Sequence, residues 1–384
     1  MFGAFFHRRV VPALLLYIII ISLQKLFHMK IHNFSAGPCI LPKSVFEKAA
    51  ESLVNYNNTG LSIAEMSHRS KEFVAVMENA VSLVKELMNV PEGFEVLFLQ
   101  GGASMQFYMS GLNLLPENGS AAYINTGTWS TKAIKEAKLL GNIYEIASSE
   151  DKNFNYIPKE FNTPKNASFL HYTSNNTIFG TQFKELPNSD LRLVSDMSSD
   201  IMTQEIDIKK FDLIYAGAQK NLGPAGVTLV IVKKDALGKT GRSIPSMLNY
   251  EVHIEKESMF NTPPCFSIYT TMLTMEWLKE LGGIHEIKKR NLAKSNLLYQ
   301  EIDRNSLFEG TARTEDRSEM NPTFVLRDGS LHEDFLNKSI EAGISGIKGH
   351  RSVGGFRASI YNALDIESVH VLVDVMQEFE KTRG

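Results

Sequence analysis

One lysine lies in surroundings that suit covalent chemistry. Lys220 follows the apolar run 211–217 and precedes Gly223-Pro-Ala-Gly226, after which a second apolar run begins at Val227. Small neighbours leave room for a flat ligand at the amine, and partial desolvation lowers the pKa of a lysine towards the neutral nucleophile that a Schiff base requires. A lysine that only ends a strand is the alternative interpretation. The sequence therefore indicates Lys220 as a candidate nucleophile.

A carboxylate lies at the end of another apolar run. Asp196 follows Leu191-Arg-Leu-Val-Ser, and in α/β proteins ligands bind at the carboxyl edge of the parallel sheet. A pyridoxal phosphate enzyme requires a Schiff-base lysine, an acid that pairs with the pyridine nitrogen, and groups that bind the phosphate. Asp196 and Lys220 can supply the first two. An isolated Asp after a strand more often caps a turn or a helix, so it is informative only together with Lys220.

Two further segments could contact such a cofactor. The strand-like run 95–100 leads into Gly101-Gly-Ala-Ser104 and a helix start, where free N–H groups and the helix dipole favour an anion. Trp129 follows the strand-like run 121–125 and could stack on a pyridine ring. Taken alone, the Gly101–Ser104 segment could also be an ordinary turn, and Trp129 could be an aromatic residue that only packs against its neighbours.

Five segments in family order resemble the phosphoserine aminotransferase family, within the class V aminotransferases and the fold-type I pyridoxal phosphate enzymes. The resemblance extends from about Met29 to Gly384, and its segments are Asn33–Pro38, Ser67–Phe73, Tyr215–Asn221, Ser258–Pro264 and Lys348–Asn362. It implies reversible transamination between O-phospho-L-serine and 2-oxoglutarate in serine biosynthesis. The phosphorylated hydroxythreonine of vitamin B6 synthesis, which presents the same anionic ends, is an alternative substrate.

The resemblance also implies a role for each candidate residue. Lys220 would bind pyridoxal 5'-phosphate covalently and transfer the substrate proton, Asp196 would pair with the pyridinium, and Trp129 would stack on the ring. Thr177 would hydrogen-bond the phenolic oxygen. The phosphate would be bound by groups from both subunits of a homodimer: Ala103, Ser104 and Gln219 from one, and Asn261 and Thr262 from the other.

The expected substrates are anionic at both ends, so the site should contain cations. By resemblance, Arg357 would bind the α-carboxylate. Two His-Arg pairs, His68–Arg69 and His350–Arg351, would bind the distal phosphate or γ-carboxylate, with one pair from each subunit. Ser104 stands where some relatives carry an arginine, which removes one cation from the distal subsite, although other branches share this Gly-Gly-Ala-Ser loop.

Several alternatives stay open at this point. An alanine:glyoxylate or serine:pyruvate aminotransferase would share Lys220, Asp196 and Arg357 but lack the paired His-Arg sites. A cysteine desulfurase would require a catalytic loop cysteine, and neither Cys39 nor Cys265 is placed as one. A catalytically inactive, membrane-attached homologue is the non-enzymatic alternative, and the intact Lys220 and Asp196 argue against it.

The composition agrees with a metabolic enzyme. The chain has 384 residues, 43% of them hydrophobic and 22% charged, with a formal net charge of −3, which suits two or three domains and does not favour nucleic-acid binding. Gly238-Lys-Thr240 fails the phosphate-loop pattern because Lys233 stands where a glycine is required. The two cysteines form no disulfide framework or zinc motif, so no metal and a cytoplasmic location are expected.

The N-terminal segment differs from the rest. The apolar run Val10–Leu23 follows His7-Arg-Arg9 like the core of a signal peptide or a short anchor. It is shorter than the roughly 20 residues of a spanning helix, and no clear Ala-x-Ala cleavage site follows. Met29 directly precedes the first family-like segment, so we expect translation to start there. Residues 1–28 would then lie outside the fold, with an anchor or targeting segment as the alternative.

The remaining pattern alternates strands and helices, which predicts an α/β fold with a mostly parallel central sheet. We expect a large cofactor-binding domain at 43–284, a smaller α+β domain at 285–384, and a segment 29–42 that joins the smaller one. The predicted helices are Lys43–Val54, one through Phe73 to Met88, 283–298, 334–342 and 367–380; the predicted strands are 96–99, 121–124, 169–172, 191–194, 213–215, 227–232, 323–326 and 356–360.

Overall fold

A computed structural model of the chain describes residues 30–384, and the expected N-terminal extension, 1–28, lies outside this range. The strands are β1 (His32–Asn33), β2 (Phe94–Leu99), β3 (Ser120–Asn125), β4 (Asn142–Ser148), β5 (Ala167–Thr173), β6 (Asn175–Asn176), β7 (Thr181–Gln182), β8 (Leu193–Asp196), β9 (Phe211–Gly217), β10 (Thr228–Lys233), β11 (Phe308–Gly310), β12 (Thr323–Leu326), β13 (Ile344–Ser345) and β14 (Phe356–Arg357).

The helices lie between these strands and at the end of the chain. They are α1 (Lys43–Val54), α2 (Lys71–Leu87), α3 (Gly102–Leu114), α4 (Thr128–Ala137), α5 (Tyr250–Glu255), α6 (Cys265–Glu280), α7 (Gly283–Arg304), α8 (His332–Glu341) and α9 (Ile366–Arg383). α2 illustrates how the sequence sets a helix. The Ser70 hydroxyl accepts the N–H of Phe73 at its start, and Phe73, Val76, Ala80 and Val84 place apolar side chains on one buried face.

The central sheet has seven strands in the order β2-β10-β9-β8-β5-β3-β4. β10 is antiparallel to both of its neighbours, and the other adjacent strands are parallel. The predicted α/β fold with a mostly parallel sheet is therefore confirmed. Because β2, β3, β5, β8 and β9 run in the same direction, their carboxyl ends meet at one edge.

Helices cover both faces of this sheet. Val96 and Phe98 of β2 belong to one buried cluster with side chains of α1, α2 and α6, whereas Leu97 and Leu99 belong to a second cluster with side chains of α3 and α4. Strands that are buried on both faces have continuous hydrophobic runs, which is why the sequence pattern revealed them.

A third cluster forms around the smaller antiparallel sheet β11-β12-β14. Side chains of α7, α8 and α9 pack there, and the N-terminal segment joins them, since His32 in β1 pairs with Ile344 in β13 and Phe34 is fully buried. We propose the boundaries 43–284 and 285–384 for the two domains, with 29–42 contributing to the smaller one.

Several predicted elements differ in their bounds from the structure, and two show the physical reason. The helix expected at 283–298 continues to Arg304, because Leu298 and Ile302 extend its buried face by one more turn. The strand expected at 356–360 ends at Arg357, since the N–H groups of Ala358 and Ile360 bond to carbonyls that precede β12. Within residues 30–384, no helix is long and apolar enough to cross a membrane.

Candidate active site

The carboxyl edge of the central sheet brings four predicted residues together. Asp196 is the last residue of β8, and Lys220 lies in the turn that follows β9. Trp129 lies in the first turn of α4, after β3, and Thr177 lies in the short loop between β6 and β7, after β5. Four neighbouring strand ends thus place these side chains at one edge, where the sequence predicted them.

Lys220 presents a free amine beside an indole ring. Its Nζ lies 5.8 Å from the centroid of the Trp129 ring, and among residues 30–384 it has no hydrogen-bond or salt-bridge partner. Burial lowers the pKa of Lys220, while the nearby carboxylates of Asp196 and Asp200 oppose this shift. A lysine with a lowered pKa and a free amine can act as a nucleophile.

Asp196 is held by a neighbour that the sequence did not indicate. The Asp196 side chain is about 5% exposed, and its Oδ1 accepts the N–H of Ser198 at 2.9 Å and the Ser198 hydroxyl at 2.6 Å. Ser198 Oγ in turn accepts the N–H of Gly217 at 3.1 Å. Burial raises the pKa of Asp196, and the positive charge of Lys220 opposes this. Within the described range Oδ2 has no partner, so it can pair with a cation.

Trp129, Thr177 and Arg357 form one hydrogen-bonded chain. The Trp129 indole N–H donates to Thr177 Oγ1 at 3.1 Å, and Arg357 Nη1 donates to the Thr177 carbonyl at 3.2 Å. The Arg357 Nε is buried without a partner, and burial lowers the pKa of this guanidinium. The candidate carboxylate-binding arginine thus contacts the same loop as the candidate ring-stacking residue and keeps a donor free.

The predicted phosphate-binding groups lie at a helix start and a turn. Gly101 precedes α3 with φ of 91°, and no side chain caps the helix. Ala103 and Ser104 are in its first turn, where N–H groups have no partner inside the helix. Gln219 directly precedes Lys220, and its carbonyl accepts the N–H of Cys39 at 3.1 Å.

The N-terminal segment covers the lysine turn. The Cys39 thiol donates to the Lys220 carbonyl at 2.6 Å, and a Cβ on Gly37 would lie 3.5 Å from the Lys220 side chain. Burial raises the pKa of Cys39 to about 12, so this thiol is a hydrogen-bond donor and not a reactive thiolate. Sequence reasoning assigned Cys39 no role, because its contact depends on the tertiary fold.

The two His-Arg pairs lie in different places. His350 follows a segment that pairs with the one bearing Arg357, since the Gly349 N–H bonds to the Gly355 carbonyl and the Arg357 N–H bonds to the Ile347 carbonyl. Burial, and then the charges of Arg357 and Arg351, lower the pKa of His350. Arg69 is exposed and lies just before α2, and among the described residues neither it nor His68 contacts Lys220. A single chain therefore brings His350 and Arg351 towards the site but not the other pair.

The second loop of the predicted phosphate site also lies at the surface. The Gln100 side chain donates to the Thr262 carbonyl at 2.8 Å, which places Asn261 and Thr262 beside the turn that leads into α3. A cavity of about 320 Å³ adjoins this loop and is lined by Gly101, Asn261 and the methionines of that region.

The arrangement fits pyridoxal phosphate on features of this structure. Lys220 has a free amine, Asp196 has an unpartnered oxygen at the sheet edge, and the uncapped start of α3 offers N–H groups to an anion. Trp129 and Thr177 offer an aromatic face and a hydroxyl close to the amine. These are the groups that a pyridoxal phosphate enzyme requires.

Comparison with known proteins agrees with this geometry. The family model "Aminotransferase class-V" matches residues 31–372. The phosphoserine aminotransferase of Flavobacterium psychrophilum is 61% identical over 353 residues, which cover 92% of this chain and 99% of the relative. The Porphyromonas gingivalis relative of the same name is 56% identical over 359 residues, covering 92% and 99%.

Solved structures agree as well. The phosphoserine aminotransferase from Bacillus circulans subsp. alkalophilus has a TM-score of 0.90 and 45% identity, covering 92% of this chain and 99% of that one. A pyridoxal-phosphate-bound phosphoserine aminotransferase from Trichomonas vaginalis has a TM-score of 0.87 and 34% identity, covering 91% and 100%. The chain therefore belongs to the class V aminotransferases and, within them, to the phosphoserine aminotransferase family.

Proposed function

We propose that this protein is a pyridoxal-phosphate-dependent phosphoserine aminotransferase. It converts O-phospho-L-serine and 2-oxoglutarate into 3-phosphohydroxypyruvate and L-glutamate, and the reverse. The observation that carries the proposal is that Lys220, Asp196 and Arg357 lie at one sheet edge, each with a polar atom that has no partner within residues 30–384. The chain is also 61% identical to a phosphoserine aminotransferase. When bound, pyridoxal phosphate supplies the electron sink for breaking the bonds at the substrate Cα.

Lys220 and Asp196 carry the central roles. The Lys220 amine would hold the cofactor, and its Nζ would accept the proton from the substrate Cα. Its lowered pKa favours the neutral form that this step requires. Asp196, whose Oδ1 is fixed by Ser198, would hold the pyridine nitrogen of the cofactor and favour its protonated form. Trp129 would stack on the cofactor ring and exclude water from that face.

Arginine and histidine side chains bind the substrate. Arg357 binds the α-carboxylate through its free donors, because its contact with the Thr177 carbonyl uses only Nη1. Arg351 supplies a positive charge to the distal phosphate or γ-carboxylate. Burial and the charges of Arg357 and Arg351 lower the pKa of His350, which favours the neutral imidazole, and this form still offers one N–H donor to the substrate.

We infer that the active site is completed in a homodimer. Asn261, Thr262, His68 and Arg69 are the proposed contributions to the partner's site, and none of them contacts the Lys220 side chain of its own chain. The loop 261–262 adjoins exposed apolar side chains, Met105 and Met247, which a partner subunit would cover. The cytoplasmic location expected from the composition is part of the same proposal.

Substrate preference tests the proposed activity. Steady-state kinetics should give a kcat/KM for phosphoserine with 2-oxoglutarate that exceeds that for alanine with glyoxylate by about a hundredfold or more, because the distal cations stabilise only the phosphorylated substrate. A preference for alanine would favour another class V aminotransferase. A parallel measurement with phosphohydroxythreonine decides whether the protein also serves vitamin B6 synthesis.

A further inference from the structure

Asp200 is a buried carboxyl that the proposed mechanism does not use. It lies four residues after Asp196, its side chain is about 7% exposed, and it borders a cavity of about 360 Å³ beneath the sheet edge. Within residues 30–384 it has no salt-bridge partner. Burial raises the pKa of Asp200 to about 7. A buried carboxyl without a cationic partner lowers the stability of the folded protein unless hydrogen bonds satisfy it. The hydrogen bonds of Asp200 therefore indicate its role.

Both oxygens of Asp200 are bonded to one hairpin. The Ser174 hydroxyl donates to Oδ1 and also lies 3.1 Å from the Asp196 carbonyl. The Gln182 amide donates to Oδ2 at 3.3 Å. Ser174 directly precedes β6 and Gln182 is the last residue of β7, so one carboxyl is bonded to both ends of the hairpin. The loop of this hairpin carries Thr177.

The same hairpin is also connected to the neighbouring segments. The Gln182 Oε1 accepts the N–H of Glu319 at 2.9 Å, and Asn175 bonds to Ser199, the residue before Asp200, through Nδ2 at 2.8 Å. The hairpin's position relative to β8 thus depends on the side chains of residues 199 and 200. Asp200 differs from Ser199 because its two acceptors reach two separate points of the hairpin.

We propose that Asp200 is a positioning residue that fixes the hairpin bearing Thr177 against the turn that follows Asp196. This inference rests on the proposed function, in which Thr177 and Asp196 would contact the same cofactor. Thr177 and Asp196 come from different strand ends, and their separation is set by the side chains that join those ends. Without Asp200, the Thr177 loop gains freedom, and the preorganised contact to the cofactor is weakened.

A double-mutant cycle on cofactor affinity tests this proposal. The apo-protein is titrated with pyridoxal phosphate, and the dissociation constant is read from protein fluorescence. Asp200→Ala should weaken binding about tenfold, and Thr177→Ala should weaken it by a similar factor. In the Thr177→Ala background, Asp200→Ala should cost less than about threefold, because a residue that acts through Thr177 has no effect once the hydroxyl is gone. Asp200→Asn keeps an acceptor for the Ser174 hydroxyl but presents an N–H group to the Gln182 amide, so it should restore only part of the affinity.

Asp207→Ala is the matched control. Asp207 is an exposed carboxylate that lines the same cavity, so its removal should leave the dissociation constant unchanged. If the Asp200 and Thr177 effects are additive, or if Asp200→Asn binds the cofactor as tightly as the wild type, the positioning role is wrong. If Thr177→Ala alone has no effect on affinity, the cofactor contact of Thr177 fails, and hydrogen exchange then decides about Asp200.

Hydrogen exchange of the apo-protein gives this independent readout. Asp200→Ala, or Ser174→Ala if the first variant does not fold, should speed exchange of the Gly180 and Phe183 amides, which are bonded within or beside the hairpin. Amides in the centre of β5 should be unchanged. Faster exchange across the whole sheet would indicate a general loss of stability, and unchanged exchange in the hairpin would also overturn the proposal.

Discussion

Lys220 and Asp196 are both buried, and burial shifts their pKa values in opposite directions. Desolvation disfavours both charged forms, so it lowers the pKa of the lysine and raises that of the aspartate, while each group's charge opposes the other's shift. Ser198 adds two hydrogen bonds that favour the carboxylate. The edge of the sheet therefore holds an amine with a lowered pKa beside a carboxyl group that Ser198 fixes, which is the combination that a covalently bound pyridine cofactor requires.

Lys220→Ala should abolish transamination and the visible absorbance of the lysine-bound cofactor, while the circular dichroism spectrum stays unchanged. The amine supplies both the covalent bond and the group that moves the proton. Lys132→Ala is a matched control, because the Lys132 amine also lies over the Trp129 ring, at 4.7 Å from its centroid, and this variant should keep the absorbance band. Normal turnover by Lys220→Ala would contradict the assignment.

Substitution of the different arginines should lower kcat/KM for different sets of substrates. Arg357→Ala should lower kcat/KM for every amino acid, because all share the α-carboxylate. Arg351→Ala and Arg69→Ala should lower it for phosphoserine and glutamate more than for alanine. Loss of a charge-assisted contact in a desolvated site costs a few kcal/mol, or on the order of a hundredfold in catalytic efficiency. Small, uniform effects across the three substrates would refute the distal role of the paired cations.

At the scale of the elements, the sequence predicted those helices and strands whose apolar residues form a clear local pattern. The central strands were found because burial on both faces makes them continuous apolar runs, and α1 was found at its observed bounds, Lys43–Val54, from its apolar spacing. β4 was missed because it is an edge strand with mixed residues and exposed positions, and β6 and β7 because two residues carry no periodicity.

The residues of the candidate site were predictable only where they follow a recognisable apolar run or a family motif. Lys220 and Asp196 follow apolar runs, so their chain positions indicate one sheet edge, and the family resemblance supplied the remaining roles. Ser198, Asp200 and Cys39 act through partners that lie far away in sequence or on neighbouring turns. Their contacts depend on the tertiary fold, so no local sequence pattern predicts them.

Lys294 provides a test at the scale of a helix. Its amine, about 1% exposed, extends from α7 and donates to the carbonyls of Ile360 and Tyr361 at 2.9 and 2.7 Å, in the segment that follows Arg357. Burial lowers the pKa of Lys294 to about 7, opposed by the charge of Asp365 and assisted by that of Arg290.

The sign of the pH effect follows from this shift. Between pH 7 and the unfolded lysine's pKa, about 10.4, the unfolded chain binds more protons at this group, so its contribution to the free energy of unfolding rises with pH. Lys294→Met should remove this rise, which amounts to at most roughly 1.4 kcal/mol per pH unit. Urea unfolding at pH 7, 8 and 9 measures the slope. Lys288→Met, at an exposed position of α7, should keep the wild-type slope; equal slopes in all three proteins would show that Lys294 does not titrate in this range.

At the scale of the whole molecule, one chain leaves its proposed site incomplete. Arg357 contacts the Thr177 loop, whereas the pair His68–Arg69 lies just before α2. The loop 261–262 lies beside the turn that leads into α3, where neither Asn261 nor Thr262 contacts the Lys220 side chain of its own chain. A two-fold dimer is isologous, so one surface patch donates residues to the partner and receives the same residues in return. Such an exchange would complete both sites at once.

Mixed dimers test this exchange. Lys220→Ala dimers should be inactive, and dimers that carry both Asn261→Ala and Thr262→Ala should bind the cofactor poorly. In a mixed dimer of the two variants, one site combines both defects, and the other combines an intact Lys220 with an intact loop from its partner. Isolated mixed dimers, purified with two different tags, should therefore recover about half of the wild-type activity per dimer, because one of two sites is restored. If both parent variants fold and dimerise but the mixed dimer shows no recovery, Asn261 and Thr262 do not complete the partner's site.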